Sequence, residues 1–535
     1  MESRRIARLS RVALLGAALV FLASGVYFRF ANLGWKFFWF DETWNSMLVS
    51  GRSYEELEAT LFNDREIGRE ELLACQRLDP ARGPLETVRA VAIDDSQHPP
   101  LYYFLLRLWA GWLGDSVAMF RTFSVLAGLL AIPLAYGLSL ELFGTWRAGV
   151  LAALLMAVSP LHVLYAQQAR PYAFWTALIL ASSLALARAL RLGRRRDWLL
   201  YGVLLAAAFY THLLSLFVAV AHGLAVAAST PGWTLRPLRL PAPLARYLAA
   251  TLAAGMALVP WMVVMVSHQR VIRRKLAWMK QDLGLVAQVK AWALDLGSVF
   301  LDAVQLRSPP LAGGAIRILR WAPYVAICIL VLYALWVVAR RGAGPSRWLV
   351  LCLAVAPALP AVVPDLVLGG KRSAAARFLI PCYLGAQLAV AHVVAAGSGS
   401  GKPAVRRVWR AAAALLLAAG AVSIALNSRV FRTWEKEEGE NPPAIARALN
   451  ECERPLVVAS TAGWNAGEMF TLSHLLGAPV RIRFVREGSA PEIRSGASDL
   501  FAYNPSRRLE AALRARGWRL EGPVAGTRFL WRMVR

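Results

Sequence analysis

The chain has 535 residues, of which 57% are hydrophobic and only 17% are charged, whereas a soluble domain carries roughly 25% charged residues. This composition excludes collagen-like, disordered and disulfide-stabilised chains, and it predicts a polytopic membrane protein. The formal net charge of +27 does not indicate a nucleic-acid-binding protein, because many of the arginines occupy short gaps between apolar runs.

Apolar runs near or above about 18 residues predict membrane-spanning helices. Lys and Arg concentrate in the gaps after every second run, as expected for cytoplasmic loops. We therefore predict a multi-pass protein of the cell membrane with a cytoplasmic N-terminus and an extracytoplasmic C-terminal segment. The eleven predicted spans are residues 12–30, 120–142, 146–163, 173–190, 197–212, 213–229, 248–266, 316–339, 346–364, 378–396 and 410–427.

The predicted organisation is a transmembrane domain over residues 1–427, with a large first outer loop over 31–119, and a small extracytoplasmic α/β domain over 428–535. Residues 98–114 are apolar but too short for a span, and we expect a helix in or near the outer interface. Apolar patterns also predict elements in the C-terminal domain. They are strands at 456–459, 480–485 and 528–534 and a helix at 506–516.

Two adjacent carboxylates, Asp41 and Glu42, follow the first predicted span and stand among aromatic residues. At a low-dielectric membrane edge a carboxylate interacts strongly with nearby charges, which suits a general base. The alternative is an aromatic belt at the membrane interface, in which the acids only solvate the end of a helix.

A second polar group lies later in the first loop, where His98 precedes two prolines that fix the backbone at a helix start. His98 is a candidate hydrogen-bond donor to a phosphate, a candidate metal ligand, or a residue that only neighbours the start of the helix. No cofactor is certain. A divalent cation stays open at Asp94, Asp95 and His98, whose spacing is not diagnostic.

Positive side chains occur at the predicted outer edge, against the usual bias of membrane proteins. Arg170 follows the third predicted span, and Lys371, Arg372 and Arg377 precede the tenth. Because arginine binds phosphate through two parallel hydrogen bonds, these side chains indicate an outward-facing anion. That anion is either a lipid headgroup or a lipid-phosphate substrate. The alternative for Arg170 is a side chain that only extends to the membrane interface.

Several motifs occur in the order in which a known family carries them. They are Asp41-Glu42, His98–Tyr103, Leu142-Phe143-Gly144, Ser159-Pro160 with Tyr165–Tyr172, and Arg377–Pro381. With these motifs the chain resembles the GT-C superfamily of membrane glycosyltransferases. Specifically, it resembles the family of dolichyl-phosphate-mannose protein mannosyltransferases and bacterial aminoarabinose transferases to lipid A. The resemblance extends over about residues 10–400 and is most specific over about 35–175.

The resemblance implies a GT-C fold of about eleven transmembrane helices. It also implies inverting transfer of a single sugar from a polyprenyl-phosphate carrier to a hydroxyl acceptor on the outer face of the cytoplasmic membrane. Asp41 matches the active-site acid of the family, and His98 matches a position that is commonly His or Lys. Gln168 and Arg170 match the ends of a segment that often reads Glu-Ala-Arg, which puts an acid or metal-binding role at position 168 in doubt.

The resulting hypothesis is a displacement in which Asp41 takes the proton of the acceptor hydroxyl while the lipid phosphate leaves from the opposite face. Cations stabilise the departing phosphate. The predicted partners are a polyprenyl-phosphate sugar donor, a protein, lipid or glycan acceptor, and membrane lipids, but no nucleic acid. The predicted catalytic residues are Asp41 and Glu42, and the predicted substrate-binding residues are His98, Tyr102, Tyr165, Gln168, Arg170, Tyr172, Lys371, Arg372 and Arg377.

Two other functions are alternatives to this one. A transporter or flippase of lipid-linked sugars places ionisable groups near the membrane midplane, often in repeated halves, whereas the charged groups here concentrate at one edge. An oligosaccharide transferase or glycan ligase is a further alternative. Oligosaccharide transferases usually carry Trp-Trp-Asp in an outer C-terminal domain, and this sequence contains no such triplet. The sequence leaves the sugar and the acceptor open.

Overall fold

The structure is a computed structural model of the chain. It describes residues 2–230, 240–302, 320–431, 442–461, 465–489, 491–493, 496–524 and 526–535, and for residues 2–11 and 13 it describes the backbone only. The start of the predicted span 316–339 therefore lies outside the described residues. The chain divides into two compact units. Unit 1 comprises residues 1–33, 96–102 and 121–431, and unit 2 comprises residues 34–95, 103–120 and 432–535.

Helices make up most of the described chain. They are α1 Glu2–Phe30, α2 Phe40–Val49, α3 Tyr54–Leu61, α4 Arg69–Ala74, α5 Pro84–Asp94, α6 Leu101–Leu113, α7 Val117–Phe143, α8 Trp146–Val158, α9 Pro160–Ala166, α10 Tyr172–Leu192, α11 Arg195–Phe209, α12 Ser215–Ser229, α13 Ala242–Ser267, α14 Gln269–Lys275, α15 Leu285–Gly297, α16 Ala322–Arg341, α17 Gly344–Val355, α18 Leu359–Leu368, α19 Ile380–Ser398, α20 Pro403–Ser428, α21 Pro442–Asn450, α22 Asn465–Ser473 and α23 Arg507–Ala515. The strands are β1 Glu66–Gly68, β2 Pro455–Ser460, β3 Arg481–Val485, β4 Asp499–Tyr503, β5 Arg519–Glu521 and β6 Leu530–Val534.

Within the described ranges, seven helical segments are long and apolar enough to cross a membrane, and the bent pair of α8 and α9 makes an eighth if it is one span. The prediction of a multi-pass helical membrane protein is confirmed. The predicted count of about eleven spans is not confirmed. The seven segments are Val117–Phe143, Tyr172–Leu192, Ala242–Ser267, Ala322–Arg341, Gly344–Leu368, Ala376–Ser398 and Pro403–Ser428.

Part of the difference in count arises where turns divide apolar runs. The predicted span 12–30 lies in α1, whose apolar part Leu14–Phe30 falls short of the length of a span. The predicted spans 197–212 and 213–229 form α11 and α12, each of 15 residues, with a turn between them. A helix of this length extends about 22 Å, less than the roughly 30 Å of a bilayer core. Residues 98–114 form the helix α6 of 13 residues, as predicted, and its place at the interface stays a prediction.

The interior of unit 1 lies around two of its spans. In the most apolar part of Ala376–Ser398, 89% of the residues are buried inside the protein, and in Tyr172–Leu192 the share is 72%. In Ala242–Ser267 it is only 17%. A peripheral span leaves its apolar side chains to the lipid, whereas a central span is surrounded by other helices. The segments that begin at Tyr172 and Ala376 are therefore central.

Unit 2 contains a six-stranded mixed sheet of order β1-β3-β2-β4-β6-β5. Strands β2, β3 and β4 run parallel, whereas β1, β5 and β6 pair antiparallel. β2 is buried along its whole length, as expected for a central strand that is covered on both faces. Strands and a helix lie where the sequence predicted them, at β2, β3, β6 and α23. The strands β1, β4 and β5 were not predicted.

The first loop contributes directly to this sheet. Its strand β1 pairs with β3, and Ile67 lies opposite Ile482. Met47, Leu57 and Leu72 join the same buried core as C-terminal residues of the sheet, and each such side chain contributes about 1.5–3 kcal/mol when fully buried. The first loop and the C-terminal segment thus belong to one folded unit. The predicted boundary between residues 427 and 428 places the first loop and the C-terminal segment in different domains. That boundary stays a prediction.

Because hydrogen-bonded strands of one sheet lie on the same side of a membrane, we predict that the first loop and the C-terminal segment share one sidedness. The test uses single cysteines at the exposed positions Glu70, Arg508 and Arg195, in a variant without the five natural cysteines. A membrane-impermeant maleimide should label Glu70→Cys and Arg508→Cys from the outside and Arg195→Cys only after lysis. Labelling of the first two from opposite sides would contradict the sheet.

Candidate active site

The bent pair of α8 and α9 precedes the segment that carries Gln168 and Arg170, and the two helix axes differ by 57°. Pro160 has no N–H group for the carbonyl of Met156. The next N–H group, that of Leu161, donates to the carbonyl of Ser298 at 2.9 Å. The carbonyls of Met156 and Ala157 therefore lack their usual donors within the helix.

Arg29 of α1 satisfies both carbonyls. Its side chain is fully buried, and it donates from Nη1 to the Ala157 oxygen at 2.6 Å and from Nη2 to the Met156 oxygen at 2.9 Å. The two chains approach closely because residue 25 is glycine: a Cβ on Gly25 would meet the Ala157 oxygen at 2.5 Å. An unsatisfied carbonyl inside a membrane costs several kcal/mol, so Arg29 stabilises the bend.

The interaction is reciprocal. Gln167, which follows α9, donates from Nε2 to the carbonyl of Phe28 at 2.7 Å and to that of Ala31 at 2.9 Å. These carbonyls lie at the end of α1, where a helix has no donors of its own. Arg29 and Gln167 together join the end of α1 to the segment that leads to Arg170.

Hydrogen bonds hold two predicted binding segments of unit 1 and one further turn against one another. The hydroxyl of Tyr102 lies 3.0 Å from Ser124 Oγ, which donates to the carbonyl of Arg170 at 3.3 Å. The N–H of Leu101, just after the two prolines, donates to the carbonyl of Tyr210 at 3.0 Å. The start of α6, the segment around position 170 and the turn after α11 are therefore held against one another.

That turn carries His212, a residue that the sequence alone did not predict. Its buried ring stacks on Trp175, with centroids 4.3 Å apart. The rings of Tyr172, His98 and Phe378 lie 6.1, 6.5 and 6.5 Å away. His212 is thus the point at which side chains from four separate segments meet.

Two guanidinium groups, those of Arg170 and Arg377, interact electrostatically with this ring. Arg170 is buried, and its Nη2 donates to the Tyr172 hydroxyl at 3.5 Å. The Cζ atom of Arg377 lies 5.3 Å from the ring centroid of the neighbouring Phe378. We define the His212 cluster as His98, Arg170, Tyr172, His212 and Arg377. Tyr165, a further predicted binding residue, packs edge-on against Tyr172 at 5.2 Å.

The cluster keeps its central imidazole neutral. Burial, and then the charges of His98, Arg170 and Arg377, lower the pKa of His212 well below its usual value. The N–H of Leu214 donates to Nδ1 of His212 at 3.3 Å, so the neutral ring carries its proton on Nε2. The cluster therefore combines two guanidinium groups with a neutral N–H donor, a set that suits an anion.

Gln168 lies two residues before Arg170 and is only 2% exposed. Its Oε1 and Nε2 atoms are both buried and have no hydrogen-bond partner among the described residues. A buried polar group without a partner costs about 1–3 kcal/mol, and such groups in native proteins call for a functional explanation. The amide is suited to donate to one polar group of a ligand and to accept from another.

Two other predicted cations have partners within unit 1. Arg372 forms an ion pair with the buried Asp365 at 2.7 Å, and Asp365 also accepts from the N–H and the hydroxyl of Ser373. Lys371 donates to Gln281 Oε1 at 2.7 Å. The structure thus brings His98, Arg170 and Arg377 together around His212, while a phosphate-binding role for Lys371 and Arg372 stays a prediction.

In unit 2, the predicted catalytic residues Asp41 and Glu42 occupy the first turn of α2. A carboxylate in the first turn interacts favourably with the partial positive charge at the N-terminus of a helix. Glu42 is fully buried and Asp41 is partly buried. The two neighbouring side chains therefore have different environments, and Asp41 is the more accessible.

Asp94 and Asp95, the acids considered as ligands of a divalent cation, accept hydrogen bonds within unit 2. Asp94 Oδ2 accepts from the N–H of Tyr54 at 2.7 Å, at the start of α3, and Asp95 Oδ2 accepts from the Tyr103 hydroxyl at 3.3 Å. Across the described ranges, no group of three His, Cys, Asp or Glu side chains is arranged to hold a metal ion. The hypothesis of a divalent cation stays a prediction.

Residues 97–263 match the family model described as dolichyl-phosphate-mannose-protein mannosyltransferase. The matched segment contains His98, Gln168, Arg170, Tyr172 and His212. The predicted resemblance to the dolichyl-phosphate-mannose protein mannosyltransferases is confirmed over this segment. Comparison of the chain with curated proteins gives no match.

Solved structures of three other proteins align with this chain at low identity. ArnT from Cupriavidus metallidurans in the apo state aligns with a TM-score of 0.41 and 16% identity over 97% of this chain and 98% of its own. The Archaeoglobus fulgidus oligosaccharyltransferase in the apo form gives 0.47 and 14% over 88% and 64%. The arabinofuranosyltransferase AftD from Mycobacteria gives 0.43 and 14% over 83% and 37%.

The role of Arg29 can be tested by its replacement with methionine, which keeps most of the side-chain length but removes both hydrogen bonds to the bend. We predict that Arg29→Met lowers the free energy of unfolding by about 3 kcal/mol, because two buried carbonyls lose a charged donor. Unfolding in mixed detergent micelles measures this change. Arg188→Met is the matched control: Arg188 is half exposed and 3.9 Å from Glu141, so its loss should change stability by less than about 1 kcal/mol. Equal stability of the two variants would contradict the account.

Proposed function

We propose that the protein is an inverting glycosyltransferase, which moves a single sugar from a polyprenyl-phosphate carrier to a hydroxyl acceptor on the outer face of the cytoplasmic membrane. The observation that carries the proposal is the His212 cluster. Four of its five residues lie in the segment that matches the mannosyltransferase family model. A polyprenyl phosphate needs buried cations for its phosphate and apolar helices for its tail, and unit 1 has both.

In this proposal the cluster binds the phosphate of the donor. Arg170 and Arg377 form charged hydrogen bonds with its oxygens, and Nε2–H of His212 and the ring of His98 add donors. Negative charge on the phosphate increases as the bond to the sugar breaks, so donors fixed in a low-dielectric site stabilise the transition state more than the ground state. The aromatic rings of Tyr102, Tyr165 and Tyr172 are proposed to border the sugar.

Asp41 is proposed as the general base. It takes the proton of the acceptor hydroxyl, the hydroxyl oxygen forms a bond to the anomeric carbon of the sugar, and the bond from that carbon to the phosphate oxygen breaks. The electron pair of the broken bond leaves with the lipid phosphate. One displacement of this kind inverts the anomeric centre. Glu42 is the second candidate for the base.

The acceptor is proposed to be a protein, lipid or glycan of the cell envelope. The N-terminus is proposed to be cytoplasmic and the C-terminal segment extracytoplasmic, because the short basic loops fit the cytoplasmic side. The chain as a whole then uses a carrier-linked sugar that is already on the outer face.

The proposal is tested with the purified full chain in lipid nanodiscs. A panel of polyprenyl-phosphate-linked hexoses and pentoses is offered as donor, with envelope extract from cells that lack the protein as acceptor. The wild-type protein should release polyprenyl phosphate and transfer the sugar. Because a general base contributes about 10²–10⁴-fold, Asp41→Asn should lower the rate by at least 100-fold.

Asp64→Asn is the matched control, because Asp64 is an exposed acid of the same loop and asparagine tolerates its positive φ of 60°. Its rate should equal that of the wild type. Full activity of Asp41→Asn would remove Asp41 from the mechanism. In proteoliposomes, movement of the intact carrier-linked sugar across the membrane, without release of polyprenyl phosphate, would instead favour a flippase.

A second prediction concerns Gln168. We expect Gln168→Leu to leave the protein as stable as the wild type, or more stable by about 1–2 kcal/mol, because a buried unsatisfied amide is removed. The same change should lower kcat/KM at least tenfold, since the substrate loses its polar contact. Stability gained at the expense of activity is typical of functional positions. A destabilised variant with unchanged kcat/KM would assign the amide a structural role.

A further inference from the structure

We infer that α22 of the C-terminal segment fixes the position of α2, and with it Asp41, and that Gly467 and Thr471 are positioning residues for the reaction. The inference deepens the proposed function and rests on the proposed role of Asp41. It assigns the C-terminal segment a part in catalysis itself, and it is carried by three sets of contacts within unit 2.

The first contact lies one residue before Asp41. The ring of Phe40 packs on Gly467, and a Cβ at position 467 would meet Phe40 Cε2 at 2.1 Å and Cδ2 and Cζ at 2.9 Å. Gly467 lies inside α22, where glycine is less stable than alanine by about 1 kcal/mol. The close approach of the ring accounts for a glycine at this otherwise unfavourable position. The Phe40 ring is also stacked on Trp44, with centroids 6.4 Å apart and planes 7° apart.

The second contact lies one helical turn further along both helices. The hydroxyl oxygens of Thr43 and Thr471 are 3.3 Å apart. Each hydroxyl is held in place by its own helix, since Thr43 bonds to the carbonyl of Phe40 at 2.9 Å and Thr471 to that of Gly467 at 3.1 Å. The two helices therefore contact each other in register along their length, and α2 has little freedom to slide.

The third contact fixes the residues on both sides of the Asp41 turn. Gln76 Oε1 bonds to His474 Nε2 at 2.9 Å, and Gln76 Nε2 donates to the carbonyl of Phe470 at 3.3 Å. Ser46 Oγ of α2 donates to the same Gln76 oxygen at 3.4 Å. The ring of Phe38 packs edge-on against that of His474 at 4.9 Å. The segment before α2 and its middle turns are thus tied to the end of α22.

The helix α22 is itself held rigidly. Met469, Phe470 and Leu472 are buried in the core that also contains Val457 of the central strand β2. The position of Asp41 is therefore determined by packing against residues more than 400 positions later in the chain, as in the Thr43–Thr471 pair with its separation of 428. A displacement of a catalytic group by about 1 Å lowers a rate by as much as about 10²-fold.

The test uses the full chain with Gly467→Ala, which forces the Phe40 ring away from α22. We expect kcat to fall at least tenfold, while KM for the polyprenyl-phosphate donor changes less than twofold. Adding Phe40→Leu to Gly467→Ala makes room for the new methyl group and should bring kcat back to within threefold of Phe40→Leu alone. Such a rescue is not expected from a general loss of stability.

Gly496→Ala is the matched control. It is the same substitution in the same unit, and no atom of the described residues lies within 4 Å of the added Cβ, so its kcat should equal that of the wild type. If Gly467→Ala also has the wild-type kcat while Asp41→Asn is inactive, the inference is overturned and the proposed function stands. If Asp41→Asn is fully active, Asp41 is not the general base, and the inference fails because its premise is removed.

Should Gly467→Ala not fold, as judged by its elution profile and unfolding midpoint, Thr471→Val decides the question. This variant keeps the shape of the side chain and removes only the hydroxyl that faces Thr43. A kcat at least threefold below the wild type with an unchanged donor KM supports the positioning role. A wild-type kcat for Thr471→Val overturns it.

Discussion

Every backbone carbonyl in an apolar membrane interior needs a hydrogen-bond donor. The fold of unit 1 depends on the donors to the carbonyls at the bend between α8 and α9. Pro160 interrupts the helix, and Arg29 and Gln167 replace the missing hydrogen bonds in both directions. The chain can therefore bend between α8 and α9 without leaving these carbonyls unsatisfied. The segment after the bend therefore lies among other helices and carries Gln168 and Arg170 into the interior of the unit.

The electrostatic character of the His212 cluster follows from this placement. Arg170 is buried and Arg377 is partly buried, and positive charges that lose hydration near one another are costly because they repel. A neutral imidazole at the centre reduces this cost, and an anion would reduce it further. Unit 2 is stabilised by different interactions. There, the acids on α2 are fixed by apolar packing and by the sheet that the first loop shares with the C-terminal segment.

The candidate residues with a strong local signal were predicted from the sequence alone, and their binding roles stay predictions. His98 precedes two prolines, and Arg170 and Arg377 stand at ends of apolar runs against the charge bias of outer loops. His212 has no such signal, because a single histidine in an apolar run is typical of a structural core residue. Only the fold shows that Asp365 pairs with Arg372. The three-residue strand β1 is too short for a recognisable pattern, so its pairing with β3 was not predicted.

The central claim is that buried donors of the His212 cluster bind a lipid phosphate. The most direct measurement is a cryo-electron microscopy structure of the protein in nanodiscs with bound polyprenyl phosphate. The account predicts the phosphate within hydrogen-bond distance, about 3 Å, of Arg170 and Arg377, with the His212 ring beside it. A phosphate bound instead by Lys371 and Arg372, with Arg170 making no contact to it, would contradict the account.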